Sequence, residues 1–371
     1  MALSLFRLGT DTAAMRLFNE LGGAATDLPR ELPSIAARVV EAFGPDAGGR
    51  FDLARTRAAR AIASARTLGI GVLTVLDAGY PSRLRTIPDP PIALWSLGDT
   101  DAMSGPTVAV VGSRRATPTG LGVARRLSRE LAESGVTIVS GMARGIDGAA
   151  HRGALDASGR TVAVLGNGPD RAYPAEHRGL MAAIQAAGCV ISEFPPGSPP
   201  EPRHFPLRNR LISGLSQAVV VVEASEKSGS LITARAALEQ GRDVLAVPGS
   251  VATGTYRGSH ALIKDGARLV ETVEDILEEI GRPPTRPVES QEGKRPSVNG
   301  LDRFLLVDEP RSVDELALRS GRPAAECLAE LTLLEISGRV ARATNGGFVK
   351  LDGPARYIGD RPPASGKDRT R

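Results

Sequence analysis

Residues 107–140 read TVAVVGSRRATPTGLGVARRLSRELAESGVTIVS. A continuous apolar run, Thr107–Val111, is followed by a turn at Gly112, a stretch with helical apolar spacing, and a second run, Val136–Ser140. Uninterrupted β-branched runs imply strands covered on both faces, where half-exposed strands would alternate. Thr117-Pro118 offers an N-cap and a first-turn proline to the intervening helix. Strand, helix and strand in that order make one unit of a parallel sheet.

The pattern repeats outward: TVAVLG at 161–166, CVIS at 189–192, AVVVVEA at 218–224 and DVLAVPG at 243–249 alternate with helical stretches such as AEHRGLMAAIQAAG at 175–188. Residues 107–280 are therefore expected to form a doubly wound, Rossmann-like α/β domain. Residues 1–75 show helical spacing and read as a small helical domain. Residues 76–106, with Pro81, Pro88, Pro90 and Pro91, read as a Pro-rich connector, and 281–299 as a linker. Residues 300–352 read as three helices and a hairpin turning at Asn345-Gly346-Gly347, a winged-helix pattern. Residues 353–371 read as a disordered basic tail.

The chain has 371 residues, which suits two or three domains, and 42% hydrophobic residues, enough for a real core. No run approaches a membrane span and the N-terminus lacks a signal-peptide pattern, so a cytoplasmic protein is expected. Cys189 and Cys327 are the only cysteines, which excludes a disulfide framework and a Cys-based zinc site. The 46 basic residues exceed the 42 acidic ones by only four, and five of the 46 are lysines. Bulk charge therefore decides nothing, and the placement of each cation must.

Ligands of an open parallel sheet bind outside the carboxyl ends of the strands, where backbone N–H groups and helix starts favour anions. Gly112-Ser113-Arg114-Arg115 lies there. It is not the G-x-G-x-x-G of a dinucleotide fold, and Arg114 suits an external phosphate or else a surface carboxylate. Ser140-Gly141-Met-Ala-Arg144-Gly145-Ile-Asp147 follows the second run, with Asp147 placed to cap and His151 either a base or a packed residue. Arg203-His204-Phe205-Pro206-Leu-Arg208-Asn209-Arg210 combines three arginines with a Phe, which is what a single-stranded nucleic acid requires. Lys227-Ser228-Gly229-Ser230 opens a helix with small donors but is no Walker A loop. There is no nucleophile elbow, metal-binding motif or carboxylate pair of catalytic spacing, so no catalytic residue, metal or cofactor is expected.

Together these motifs resemble the DprA/Smf family, DNA processing protein A. The resemblance rests on Asp77-x-x-Tyr80-Pro81 through Asp89-Pro90-Pro91, Gly112-Ser113-Arg114, Ser140-Gly141-x-Ala143-Arg144-Gly145, Phe205-Pro206-x-Arg208-Asn209-Arg210, Ser228-Gly229-Ser230 and Gly258-Ser-His. It implies an extended Rossmann-like fold that binds single-stranded DNA, protects incoming strands, helps load a RecA-type recombinase in natural transformation, and acts as a homodimer without catalysis. It places Arg114, Phe205 to Arg210 and Lys227 to Ser230 at the DNA, with Ser140, Gly141 and Arg144 in support. The helical domain would be of the SAM or helix-hairpin-helix type. Glu326, Glu330 and Glu335 on the second winged-helix segment point to protein contact rather than duplex binding, and argue against a winged-helix regulator with the α/β domain as a ligand sensor. The enzyme alternative is a LOG-type nucleotide phosphoribohydrolase, faintly suggested by Ser228-Gly-Ser230-x-x-Thr233 followed by Glu239.

Overall fold

The computed structural model describes residues 46–282, 300–306, 310–336, 339–343 and 346–350. The expectations for residues 1–45, for all but the start of the 281–299 linker and for the 353–371 tail lie outside the described residues. Two compact units divide the chain, one ending at Pro287 and the other beginning at Val288.

The first unit is built on a nine-stranded sheet. Its strands are β1 (Gly71–Thr74), β2 (Ala93–Gly98), β3 (Thr107–Val111), β4 (Thr137–Ser140), β5 (Thr161–Leu165), β6 (Cys189–Ser192), β7 (Ala218–Val221), β8 (Asp243–Ala246) and β9 (Arg268–Leu269). Their spatial order is β1-β2-β6-β5-β4-β3-β7-β8-β9. From β6 to β9 all neighbours are parallel, while β2 joins β6 and β1 joins β2 antiparallel. The chain winds outward from β3 through β4 and β5 to β6, then returns to the other side of β3 as β7 and β8. The reversal between β3 and β7 is where such a sheet opens a crevice.

The helices are α1 (Asp46–Thr67), α2 (Ser82–Arg85), α3 (Pro118–Glu133), α4 (Ile146–Asp156), α5 (Arg178–Ala187), α6 (His204–Leu215), α7 (Ser230–Glu239), α8 (Arg257–Lys264) and α9 (Val273–Glu279). Strand period two explains how β3 serves two cores. Val108 and Val110 pack with Leu127 and Leu131 of α3 and Ala150 of α4, whereas Ala109 and Val111 pack with Leu211, Ile212 and Ala234 from α6 and α7. All five residues of β3 are buried, as its continuous apolar run required. Thr117 caps α3 by accepting the Gly120 N–H at 3.0 Å, with Pro118 at the first helical position.

The stretch 76–106 differs from a plain connector, because β2 lies within it and pairs with β6 in the sheet. Proline bounds β2 without interrupting it: the Tyr80 hydroxyl donates to Pro91 O at 2.7 Å, and Leu94 and Trp95 behind that anchor are buried. Residues 1–75 are likewise not helical to their end. β1 pairs with β2, and α1 lays Ala61 and Ala65 against Val72, Trp95 and Leu97. No helix among the described residues is long and apolar enough to cross a membrane.

The second unit has a one-turn 3-10 helix at Leu301–Phe304, α10 (Val313–Ser320), α11 (Ala324–Ile336) and a hairpin of β10 (Val340–Arg342) and β11 (Phe348–Lys350). The first expected helix is thus a single turn, whose Leu301 joins Leu316, Cys327, Leu331 and Phe348 in the core. Ser312 caps α10, and Gly321 ends it at φ 68°. The acidic second helix is less repulsive than its sequence implies: Arg322 pairs with both Glu326 and Glu330, and Arg342 reaches Glu335 at 3.8 Å.

Candidate nucleic-acid interface

A cleft of about 530 Å³ opens at the reversal between β3 and β7. One wall is the loop after β3, with Gly112, Ser113, Arg114 and Arg115. The other is the Ser225–Ser230 turn leading into α7, and the first turns of α6 form the floor. The Ser113 N–H donates to Glu223 O at 2.7 Å, stitching the loops together beneath the cleft. Glu223 is buried, and its carboxylate accepts the Thr117 N–H at 3.0 Å and the Thr117 hydroxyl at 2.6 Å. The negative charge under the first loop is thereby engaged by donors and turned away from the opening.

Glycine is required where the loops cross. Gly145 has φ 74°, and a Cβ there would stand 2.1 Å from Ser113 O. Gly141 leaves room for a guanidinium, since its Cβ would lie 2.6 Å from Arg208 Nη2. That guanidinium is buried, and Arg208 Nη1 donates to Gly141 O at 2.8 Å and to Val164 O. Burial lowers its pKa to about 10, Asp147 beside it pushes the other way, and it stays charged at neutral pH. Burial raises the Asp147 pKa against the opposing pull of Arg208 and of the Gly141 and Ala143 N–H groups, from which it accepts at 3.1 and 3.4 Å. Asp147 therefore braces the loop ahead of α4 instead of capping the helix, whose N-cap Gly145 has no side-chain hydrogen bond.

The arginines of Phe205–Arg210 have separate fates. Arg208 serves the backbone below the cleft. Arg210 turns away from it, with Nη2 2.9 Å from Glu193 Oε1 and Nε 3.3 Å from Asp89 Oδ2. Its expected phosphate contact is not what its geometry offers; two carboxylates from distant segments already hold it. Arg203 pairs with Glu201 at 2.6 Å, and Arg144 with Glu176 at 2.5 Å, and neither lines the cleft. Ser140 is buried, its hydroxyl donating to Val110 O at 2.7 Å. His151 is packed, with Nδ1 2.7 Å from the Thr161 hydroxyl.

Of the expected site residues, Gly112, Ser113, Arg114, Phe205, Arg208, Asn209, Ser228, Gly229 and Ser230 line the cleft, Arg208 as a buried part of its floor. Arg114 lies over the Phe205 ring at 5.0 Å, and Tyr173 flanks the same ring at 5.5 Å. Asn209 reaches across, its Nδ2 donating to Gly229 O at 3.3 Å while its Oδ1 accepts from Arg208 Nε. Ser228 and Ser230 share a hydroxyl hydrogen bond of 2.8 Å at the start of α7. Arg114 and Arg115 are exposed and have no carboxylate partner among the described residues, in contrast to Arg125, Arg144, Arg203, Arg210 and Arg235. Lys227 lies outside the cleft, in a neighbouring concavity.

Sequence reasoning missed Tyr173, and it noted Arg115 and Thr233 without assigning them to the DNA site. The signal for Tyr173 was an aromatic in the loop after a parallel strand, β5, where ligand-facing residues gather. Thr233 lines the cleft, but Glu239, the acid a phosphoribohydrolase reading needs, pairs with Arg235 at 3.1 Å and does not line it. Among the described residues no cluster of three or more metal-ligating side chains occurs.

A family model described as DNA recombination-mediator protein A matches residues 71–281, and one of the DprA winged helix domain matches residues 304–346. Protein Smf of Escherichia coli is 43% identical over 281 residues, covering 73% of this chain and 75% of that protein. DNA processing protein DprA of Bacillus subtilis is 43% identical over 222 residues, covering 60% and 75%. An X-ray structure of DNA processing protein A from Streptococcus pneumoniae superposes with a TM-score of 0.67 at 37% identity, covering 75% of this chain and 95% of that one. The Helicobacter pylori protein, whose structure is described for its single-stranded DNA binding mode, gives 0.51 at 30% identity, covering 56% and 94%. The matched region spans the nine-stranded sheet and every residue lining the cleft, and the chain belongs to the DNA recombination-mediator protein A family, the DprA/Smf proteins.

Proposed function

We propose that this protein binds single-stranded DNA in the β3–β7 cleft, protects it, and delivers it to a RecA-type recombinase during DNA processing in natural transformation. The observation that carries the reading is that exposed Arg114 and Arg115, which make no ion pair among the described residues, share the cleft with the Phe205 and Tyr173 rings, Arg114 lying over Phe205. Guanidinium groups neutralise phosphates, and aromatic faces stack unpaired bases that a duplex keeps hidden. Backbone N–H groups of the Ser228–Ser230 turn add donors suited to an anion. The name of the family, recombination mediator, and the single-strand binding described for the H. pylori protein support the strand as ligand and a recombinase as its recipient. Action as a homodimer is part of the same reading.

The test is fluorescence anisotropy of labelled oligo-dT against its duplex, titrated with salt, for wild type and Arg114→Ala. The wild type is expected to prefer the single strand, and the variant to bind every sequence more weakly with a salt slope shallower by about 0.7. Equal binding of strand and duplex, or an unchanged slope in the variant, overturns the assignment.

A further inference from the structure

Lys227 lines a second, shallower concavity of about 440 Å³ that adjoins the cleft. Ser225 lines both, so the two share a rim. The second is bounded by Ser225–Lys227 on one side and the Ala252–Gly254 loop on the other, with Arg257 at its end. Lys227 and Arg257 are exposed, and Lys227 has no carboxylate partner among the described residues. Arg257 Nη1 is 3.7 Å from Glu226 Oε1, with both side chains about two-thirds exposed at 68% and 64%. Such a surface pair contributes little, about 0–1 kcal/mol, and yields readily to a competing anion.

The opposite wall is shaped by its own hydrogen bonds. The Ala252 N–H donates to the Ser250 hydroxyl at 3.3 Å, and the Thr253 and Thr255 hydroxyls meet at 2.7 Å. Val251 stands 85% exposed on that loop, an apolar side chain for an unstacked base to lie against. Two adjoining concavities that each present a cation without an ion pair among the described residues match a ligand that repeats its charge along its length. A compact small molecule would fill one and leave the other without purpose.

We propose that the Lys227–Arg257 concavity is a further phosphodiester subsite that prolongs the path of the strand beyond the β3–β7 cleft. Lys227 and Arg257 each neutralise a phosphate there, and Glu226 opposes them, setting the strength of the extension. This inference rests on the reading of the cleft as a strand site.

The experiment is a length series of oligo-dT from about 4 to 16 nucleotides, the range of site sizes of single-strand-binding folds. Wild type is compared with Lys227→Ala/Arg257→Ala, Glu226→Gln and Arg114→Ala in salt titrations. The double variant should match wild type on the shortest strands and fall progressively behind as length increases, with a slope shallower by about 1.4 on the longest, two contacts at about 0.7 each. Glu226→Gln should strengthen binding of long strands alone. A double variant equal to wild type at every length, or weaker by one constant factor at every length, overturns the subsite. If wild type binds no strand, or Arg114→Ala binds like wild type, the cleft reading itself fails and the extension falls with it.

Discussion

Arg208→Met tests the division of labour among the arginines of α6. The substitution keeps most of the side-chain volume and removes the guanidinium. Gly141 O and Val164 O then lose buried donors, and Asp147 loses the cation beside it. An unpaired buried carbonyl costs about 1–3 kcal/mol, and removing one member of a buried charge pair about 3–5 kcal/mol. These effects overlap, so the expected loss is about 3–5 kcal/mol, a large share of the ~5–15 kcal/mol that holds a typical protein folded. In urea, with a slope of about 3 kcal/mol per molar, the midpoint should fall by about 1 M or more. Strand binding by the folded fraction should keep its wild-type salt slope, because Arg208, although it lines the cleft floor, is buried with its guanidinium held by the Gly141 and Val164 carbonyls. A variant with wild-type stability and a slope shallower by about 0.7 would refute the argument, for Arg208 would then be a phosphate ligand.

Two further outcomes follow from the geometry around the cleft. Gly145→Ala forces a Cβ to 2.1 Å from Ser113 O at φ 74°, and should destabilise the protein by about 1–3 kcal/mol in urea unfolding while displacing the Arg114 loop; full stability would show that the loop yields freely. His151 should make stability fall on the acid side. Its Nδ1 donates to the Thr161 hydroxyl, which itself donates to Ile138 O, so a second proton must go on Nε2, which is buried without a partner. Burial lowers the folded pKa to about 3, against ~6.5 in the unfolded chain. The stabilisation is complete above ~6.5 and drains as pH falls toward 3, at about 1.4 kcal/mol per unit, or about 2 kcal/mol by pH 5. That acid-side loss should shrink in His151→Gln, and an undiminished loss would assign it to other groups.

The sheet was legible because its central strands are buried on both faces, and β3 to β8 all coincide with the apolar runs that announced them. β1, β2 and β9 were not. They are short strands of two to six residues, β1 and β9 at the two edges and β2 next to β1, and β2 is set among prolines whose anchoring by the Tyr80 hydroxyl is a tertiary contact. Within the site, the loops were legible from strand ends, but the fate of each arginine was not. Arg208 and Arg210 are two residues apart in one motif, yet Gly141 and Val164 claim the first, and Asp89 and Glu193 the second. Helical spacing held part of the answer: Phe205, Asn209 and Ile212 recur on one face of α6 and line the cleft, while Arg210 lies about 100° further round.

The reversal between β3 and β7 makes the cleft a property of the whole first unit. Its two walls are about a hundred residues apart in the chain, and they meet only once β4, β5 and β6 have been laid down on one side and β7 on the other. No excised segment carries the site, and its occupancy is thermodynamically tied to the integrity of the sheet. A strand held at a hundred times its dissociation constant should raise the unfolding free energy of the domain by about 2.7 kcal/mol. The melting of the unit therefore doubles as a titration of its ligand.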